Sequence, residues 1–194
     1  MLRLCPDRPL PPYSYVPGHF PHPISDPRGH SYHAATTAMG DHPIVPVSVS
    51  IDFNWNQSSD YLFGIDLFNH GFYWEAHETW EQVWIELGRT GRDADFIKGL
   101  IKLAASGVKA REGRPVGLQR HAHRAHELFQ IVSEYRTENE AVVYIGGMDL
   151  RSVCEAANAI AENAGHLINS TDDPLKIVLP LVLVSSANKK DKSH

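Results

Sequence analysis

The 194-residue sequence has only two cysteines, no apolar stretch long enough for a membrane helix, and just three of its 13 prolines beyond residue 46. Cys5 and Cys154 stand far apart with no metal-ligand spacing, so neither a disulfide framework nor a thiolate metal site is expected, and a reducing compartment is the default. The longest apolar stretch, residues 177–184, is interrupted by Pro180 and falls well short of the roughly 18 residues a span needs. No apolar run follows Met1 before the prolines begin, which argues against a secretory signal and predicts a cytoplasmic protein without a membrane partner. Positive charge is also in deficit. With 18 Lys+Arg against 23 Asp+Glu the net charge is −5, which argues against holding nucleic acid by bulk charge. At 42% hydrophobic and 21% charged, the composition is that of a globular chain with a core of its own and excludes full-length disorder.

Ten prolines and five of the 12 histidines crowd into the first 46 residues. Proline fixes φ and removes a donor, so residues 1–55 are expected to form an extended arm without helices. The arm carries Tyr13, Tyr15, Phe20 and Tyr32, more aromatic surface than a solvated linker uses, and is expected to lie on the domain. Residues 44–53 alternate apolar and polar as a short strand does. A second β-prone run at 176–184 offers it a partner, and Pro46 and Pro180 confine both to edges.

Between these runs the apolar period is helical. Segments at 59–69, 72–87, 94–112, 115–135 and 149–165, broken at glycines 71, 88, 91, 113, 146 and 147, predict an all-α antiparallel bundle of about five helices over residues 56–168. Asp149 suits an N-cap and Pro115 a first helical turn. Residues 169–194 are left as a C-terminal strap, with a polar tail from Ser185 that is expected to fray.

Residues 66–86 contain five acidic side chains and no Lys or Arg, whereas 98–124 contain seven basic ones and Glu112 alone. Adjacent helices of opposite sign are expected to complement each other. No aromatic interleaves the basic stretch as nucleic-acid stacking would require. Helix 72–87 carries the densest chemistry. On a wheel, Phe72, Ala76, Trp80, Val83 and Leu87 form the core stripe, Glu75, Glu78, Gln82 and Glu86 lie opposite, and His77 and Glu81 fall between, one turn apart. An imidazole and a carboxylate on one face can ligate one ion or share a proton, and the flanking Tyr73, Trp74 and Trp84 form a candidate aromatic pocket that would desolvate them. The plain alternative is a His77–Glu81 hydrogen bond capping an aromatic cluster. The run His77-Glu78-Thr79-Trp80-Glu81 also mimics a zincin helix, but Glu81 stands where that motif needs its second histidine, so a protease is not expected.

A second His-x-x-x-Glu, His123 and Glu127, falls on the polar face of its helix. His121 lies at the edge of the core face of Leu118, Ala122, Ala125, Phe129 and Val132. In the arm, His19, His22, His30 and His33 make two His-x-x-His pairs, a weak metal signal in irregular chain.

The signature H-x-x-x-E-x-x-W/Y is met by His77, Glu81 and Trp84, preceded by Phe68-Asn69-His70-Gly71 and Glu75-Ala76. With the helix that starts at Phe96-Ile97-Lys98-Gly99, it resembles domain-of-unknown-function family 309 over roughly residues 60–135. The resemblance implies a compact helical bundle and, for function, metal binding by the His and Glu.

Two functional classes follow. One is a metal-dependent or acid/base protein in which His77 and Glu81 hold a divalent ion and Glu78, His121 or an arm histidine supplies a third ligand. The other is a non-enzymatic binding or scaffold module whose aromatic groove takes a small molecule or peptide. Convergence of a third ligand separates them. Metal identity, substrate and oligomeric state are left open.

Overall fold

The computed structural model of the chain describes residues 3–33, 53–137, 140–141 and 144–186. Five helices pack in sequence order: α1 (Ser59–Asn69), α2 (Tyr73–Glu86), α3 (Arg92–Arg111), α4 (Pro115–Glu134) and α5 (Leu150–Glu162). This is the expected bundle, with ends close to those read from the glycines. Ser58 caps α1 by accepting from the Tyr61 amide at 3.2 Å, Pro115 opens α4, and Asp149 caps α5 by accepting from the Ser152 amide at 3.1 Å. The core stripes are those of the wheels: Phe72, Ala76, Trp80 and Val83 of α2 and Leu118, Ala122, Ala125, Phe129 and Val132 of α4 are buried.

Two short antiparallel hairpins join α4 to α5. β1 (Arg136–Thr137) pairs with β2 (Glu140–Ala141), and β3 (Tyr144–Ile145) pairs with β4 (Met148–Asp149). Gly146 and Gly147, both at positive φ (57° and 75°), make the two-residue turn of the second hairpin, so this pair does more than break a helix. The strand expected at 44–53 lies almost wholly outside the described residues. Its intended partner, 176–184, is not a strand. The run still alternates in burial, with Leu179 and Leu183 inward and Pro180, Val182 and Val184 outward, but side chains instead of a ladder satisfy its backbone. The Tyr73 hydroxyl accepts from the amides of Val178 (3.0 Å) and Leu179 (3.1 Å). The Asn69 carboxamide accepts from Leu183 N and donates to Leu183 O, both at 2.8 Å, as a neighbouring strand would.

Nor do Ser185 and Ser186 fray. The Ser185 hydroxyl donates to Gly146 O at 2.7 Å and the Ser186 amide to Gly147 O at 2.9 Å, pinning this end of the strap to the second hairpin. The remainder of the tail lies outside the described residues.

The arm is laid on the bundle, as its aromatics suggest. The Leu4 and Cys5 amides donate to the Asp66 carboxylate, each at 2.8 Å. Arg8 pairs with Asp60 and its guanidinium lies 3.9 Å from the centre of the Phe63 ring. Val16 is buried, and Tyr15 and His22 pack edge-on against Trp74. Among the described residues no helix is long and apolar enough to cross a membrane.

Candidate functional site

The rotation of α2 decides what its polar residues can reach. Trp80 is fully buried against α1 and donates its indole N–H to Tyr61 O at 3.2 Å. A Cβ at residue 64 would stand 2.1 Å from that nitrogen, so Gly64 is what lets the ring lie there. With Ala76, Trp80 and Val83 turned inward, His77, Glu78 and Glu81 come to the rim of α2, each half-buried. One ligand atom from each lies within 4.8 Å of the others. Tetrahedral ligands about 2.1 Å from an ion stand about 3.4 Å from one another, inside the 4.8 Å limit that bounds this group. The structure therefore groups His77 and Glu81 as expected and supplies Glu78 as the third member. His77 Nδ1 lies 3.2 Å from Glu78 Oε1, so its hydrogen-bond partner is Glu78 and not Glu81 as the plain alternative held.

His121 does not join that group. It sits half-buried on α4, near enough to His77 to feel its charge, and is pushed down to about 4 by burial first and then by Lys102, Arg120, Lys109 and His77. At neutral pH it is an uncharged imidazole. His123 is solvated and pairs with Glu127 at 3.2 Å, as its place on the polar face requires. The arm histidines disperse: His30 Nε2 meets Glu75 at 3.2 Å, His22 lies edge-on to Trp74 and His19 pairs with Asp172. Among the described residues only His77, Glu78 and Glu81 gather at metal-binding distances.

The expected pocket aromatics do not share a groove. Tyr73 is buried and clamps the strap, Trp74 lies under the arm, and Trp84 is flanked by Lys98 and Arg89, 5.4 and 5.8 Å from its ring centre. Trp84 keeps a buried indole N–H without a partner among the described residues.

Sequence reasoning missed a buried polar cluster beneath the arm. Glu75, placed on the solvated face of the wheel, is buried and accepts from the Tyr15 amide at 2.8 Å and the Ser14 hydroxyl at 3.3 Å as well as meeting His30. Arg111 is 1% exposed, donates to Asp173 O and leaves Nε and Nη1 without partners among the described residues. Burial pulls its guanidinium below the ordinary range, and Asp173, Tyr73 and Glu75 oppose that pull. The only advance signal was an acidic residue within an aromatic run, and a helical wheel is blind to what covers its polar face. A Cys154–His126 contact at 3.2 Å resembles a nucleophilic pair, but burial raises the thiol and His126 Nδ1 also meets Cys154 O at 3.0 Å. That pairing is structural.

A bundle with a His/Glu/Glu rim on its second helix is the setting in which comparison with known proteins becomes informative. Residues 61–121 match the family model described as Domain of unknown function (DUF309). Over this third of the chain the sequence is similar to that family. The matched stretch runs from the first turn of α1 to His121 in α4, so it contains Asp66, Glu75, His77, Glu78, Glu81, Trp84 and Arg111. The arm, most of α4, α5 and the strap lie outside it. No curated protein and no solved structure matches the chain.

Proposed function

We propose that this protein binds one divalent metal ion through His77, Glu78 and Glu81. The observation that carries this reading is the gathering of one imidazole and two carboxylates on a half-buried helix rim. A mixed nitrogen and oxygen donor set suits zinc, manganese or iron better than a thiolate-seeking metal. Three protein ligands leave coordination positions open, and an ion held this way supplies Lewis acidity to whatever occupies them. His121, neutral at physiological pH and close enough to feel the charge of His77, is a further candidate donor to such an ion.

The test is elemental analysis of the full chain purified without a His tag or added metal. About one ion per chain is expected. His77→Ala and Glu81→Ala should each lose it while keeping their helical signal, because rim positions contribute little packing. Binding should weaken as pH drops below about 6.5, since a protonated imidazole cannot ligate. Metal content near zero, with no thermal shift on adding zinc, manganese or iron, would refute the reading.

A further inference from the structure

An open cleft of about 850 Å³ crosses the outer face of α4, with Lys102 of α3 on one side and Asn158 and Glu162 of α5 on the other. Its charge runs against that of the chain, which is −5 overall. Lys102, Arg120 and Arg124 all line it. Its two carboxylates are already engaged: Glu127 accepts from Arg124 at 2.6 Å and faces His123 at 3.2 Å, and Glu162 accepts from the Asn158 carboxamide at 2.9 Å. Lys102 and Arg120 are left with no carboxylate within 4.0 Å among the described residues, although the acidic face of α2 lies on the next helix. Both repel a proton from the half-buried His121, which lines the same cleft. Two unpaired cations beside a neutral imidazole form a like-charge cluster that a bound anion would relieve.

We propose that this cleft binds a small phosphomonoester, with Lys102 and Arg120 holding its phosphoryl oxygens. A guanidinium fork and an ammonium point charge together match a dianion with three acceptor oxygens better than a single carboxylate. The Gln119 amide and the Val116 side chain lie within the same cleft to meet the rest of the molecule. Its volume falls in the range of small-ligand sites, about 300–1,000 Å³. No Phe, Tyr or Trp among the described residues lines it, so it lacks the broad stacking surface of a single-stranded nucleic-acid groove. The proposal uses none of the three rim ligands on α2 and stands or falls apart from them.

Isothermal titration of the full chain with inorganic phosphate and with ribose 5-phosphate tests it. Saturable binding of one molecule per chain at about millimolar affinity or tighter is expected, with the ester tighter if the organic body is recognised and equal if the phosphoryl group alone is. Lys102→Gln and Arg120→Gln should each weaken binding by about tenfold or more, as loss of a charge-assisted hydrogen bond does. Lys98→Gln, which touches Trp84 outside the cleft, should leave it unchanged. Val116→Glu, at a position 77% exposed, adds a repelling charge without disturbing packing and gives the same reading if a charge-removing variant fails to fold. The His77→Ala protein should still bind phosphate whether or not it has lost metal. The proposal is overturned by absence of saturable binding below about 10 mM. Equal weakening in Lys98→Gln, or a single-stranded oligonucleotide that binds more tightly with the steep salt dependence of many phosphate contacts, also overturns it.

Discussion

Replacing Tyr73 with Phe removes a single oxygen from the junction between the bundle and its C-terminal strap. The ring itself keeps its place, edge-on to Phe68 at 5.4 Å and packed against the backbone at Gly107. Two amides lose their acceptor. Leu179 is 2% exposed, so its N–H has no route to water, and an unsatisfied buried donor costs about 1–3 kcal/mol. Val178 is half-buried and can recover part of its loss through solvent, contributing about 0.5–1 kcal/mol. The expected destabilisation is therefore about 1.5–4 kcal/mol, which for a chain of this size lowers Tm by roughly 3–16 °C. Urea titration and thermal melts measure the total, and hydrogen exchange locates it: the Val178 and Leu179 amides should exchange faster, while the Leu183 amide, held by Asn69, changes less. A Tm within 2 °C of the parent, together with unchanged exchange at 178 and 179, would refute the view that side chains stand in for a strand partner here.

Gly107→Ala should destabilise the protein even though alanine favours helix by about 1 kcal/mol, because the new Cβ would lie 2.5 Å from the Tyr73 ring; the overpacking cost of about 1–3 kcal/mol outweighs the propensity, and a raised Tm would contradict this. Glu75→Ala removes the acceptor for the Tyr15 amide and the partner of His30, so limited proteolysis should cut between Tyr13 and His33 in the variant and spare the parent; equal protection would show that the arm is held elsewhere. Stability should fall on acidification between pH 6.5 and about 4, because there the unfolded chain protonates His121 and the folded one does not. Solvent screening at this half-buried site reduces the effect to about 1–2 kcal/mol, and a His121→Gln variant should lose that part of the pH dependence in melts across the window.

Each helix could be read from the sequence because its information is local. The stripe Phe72, Ala76, Trp80, Val83 depends only on the helical period, and the ends depend on glycines and on the caps at Ser58 and Asp149, features that act within a few residues. The placement of His77 and Glu81 on one edge was legible for the same reason, since one turn of helix separates them, although His77 turns to Glu78 for its hydrogen bond.

Other features depend on what the chain brings up from far away. The alternation at 176–184 specified which side chains face inward but not what pairs with the backbone, and the partners turned out to be Tyr73 and Asn69, more than 100 residues earlier. Glu75 looks solvated on a wheel and is buried only because Ser14, Tyr15 and His30 of the arm close over it, so its desolvation and its hydrogen bonds exist only in the folded whole. His121 and Lys102 likewise acquire their shared cleft from the packing of α3, α4 and α5. Local period sets which way a side chain points. What it meets there is set by tertiary packing, because contact energies act across space between segments that no sequence window contains.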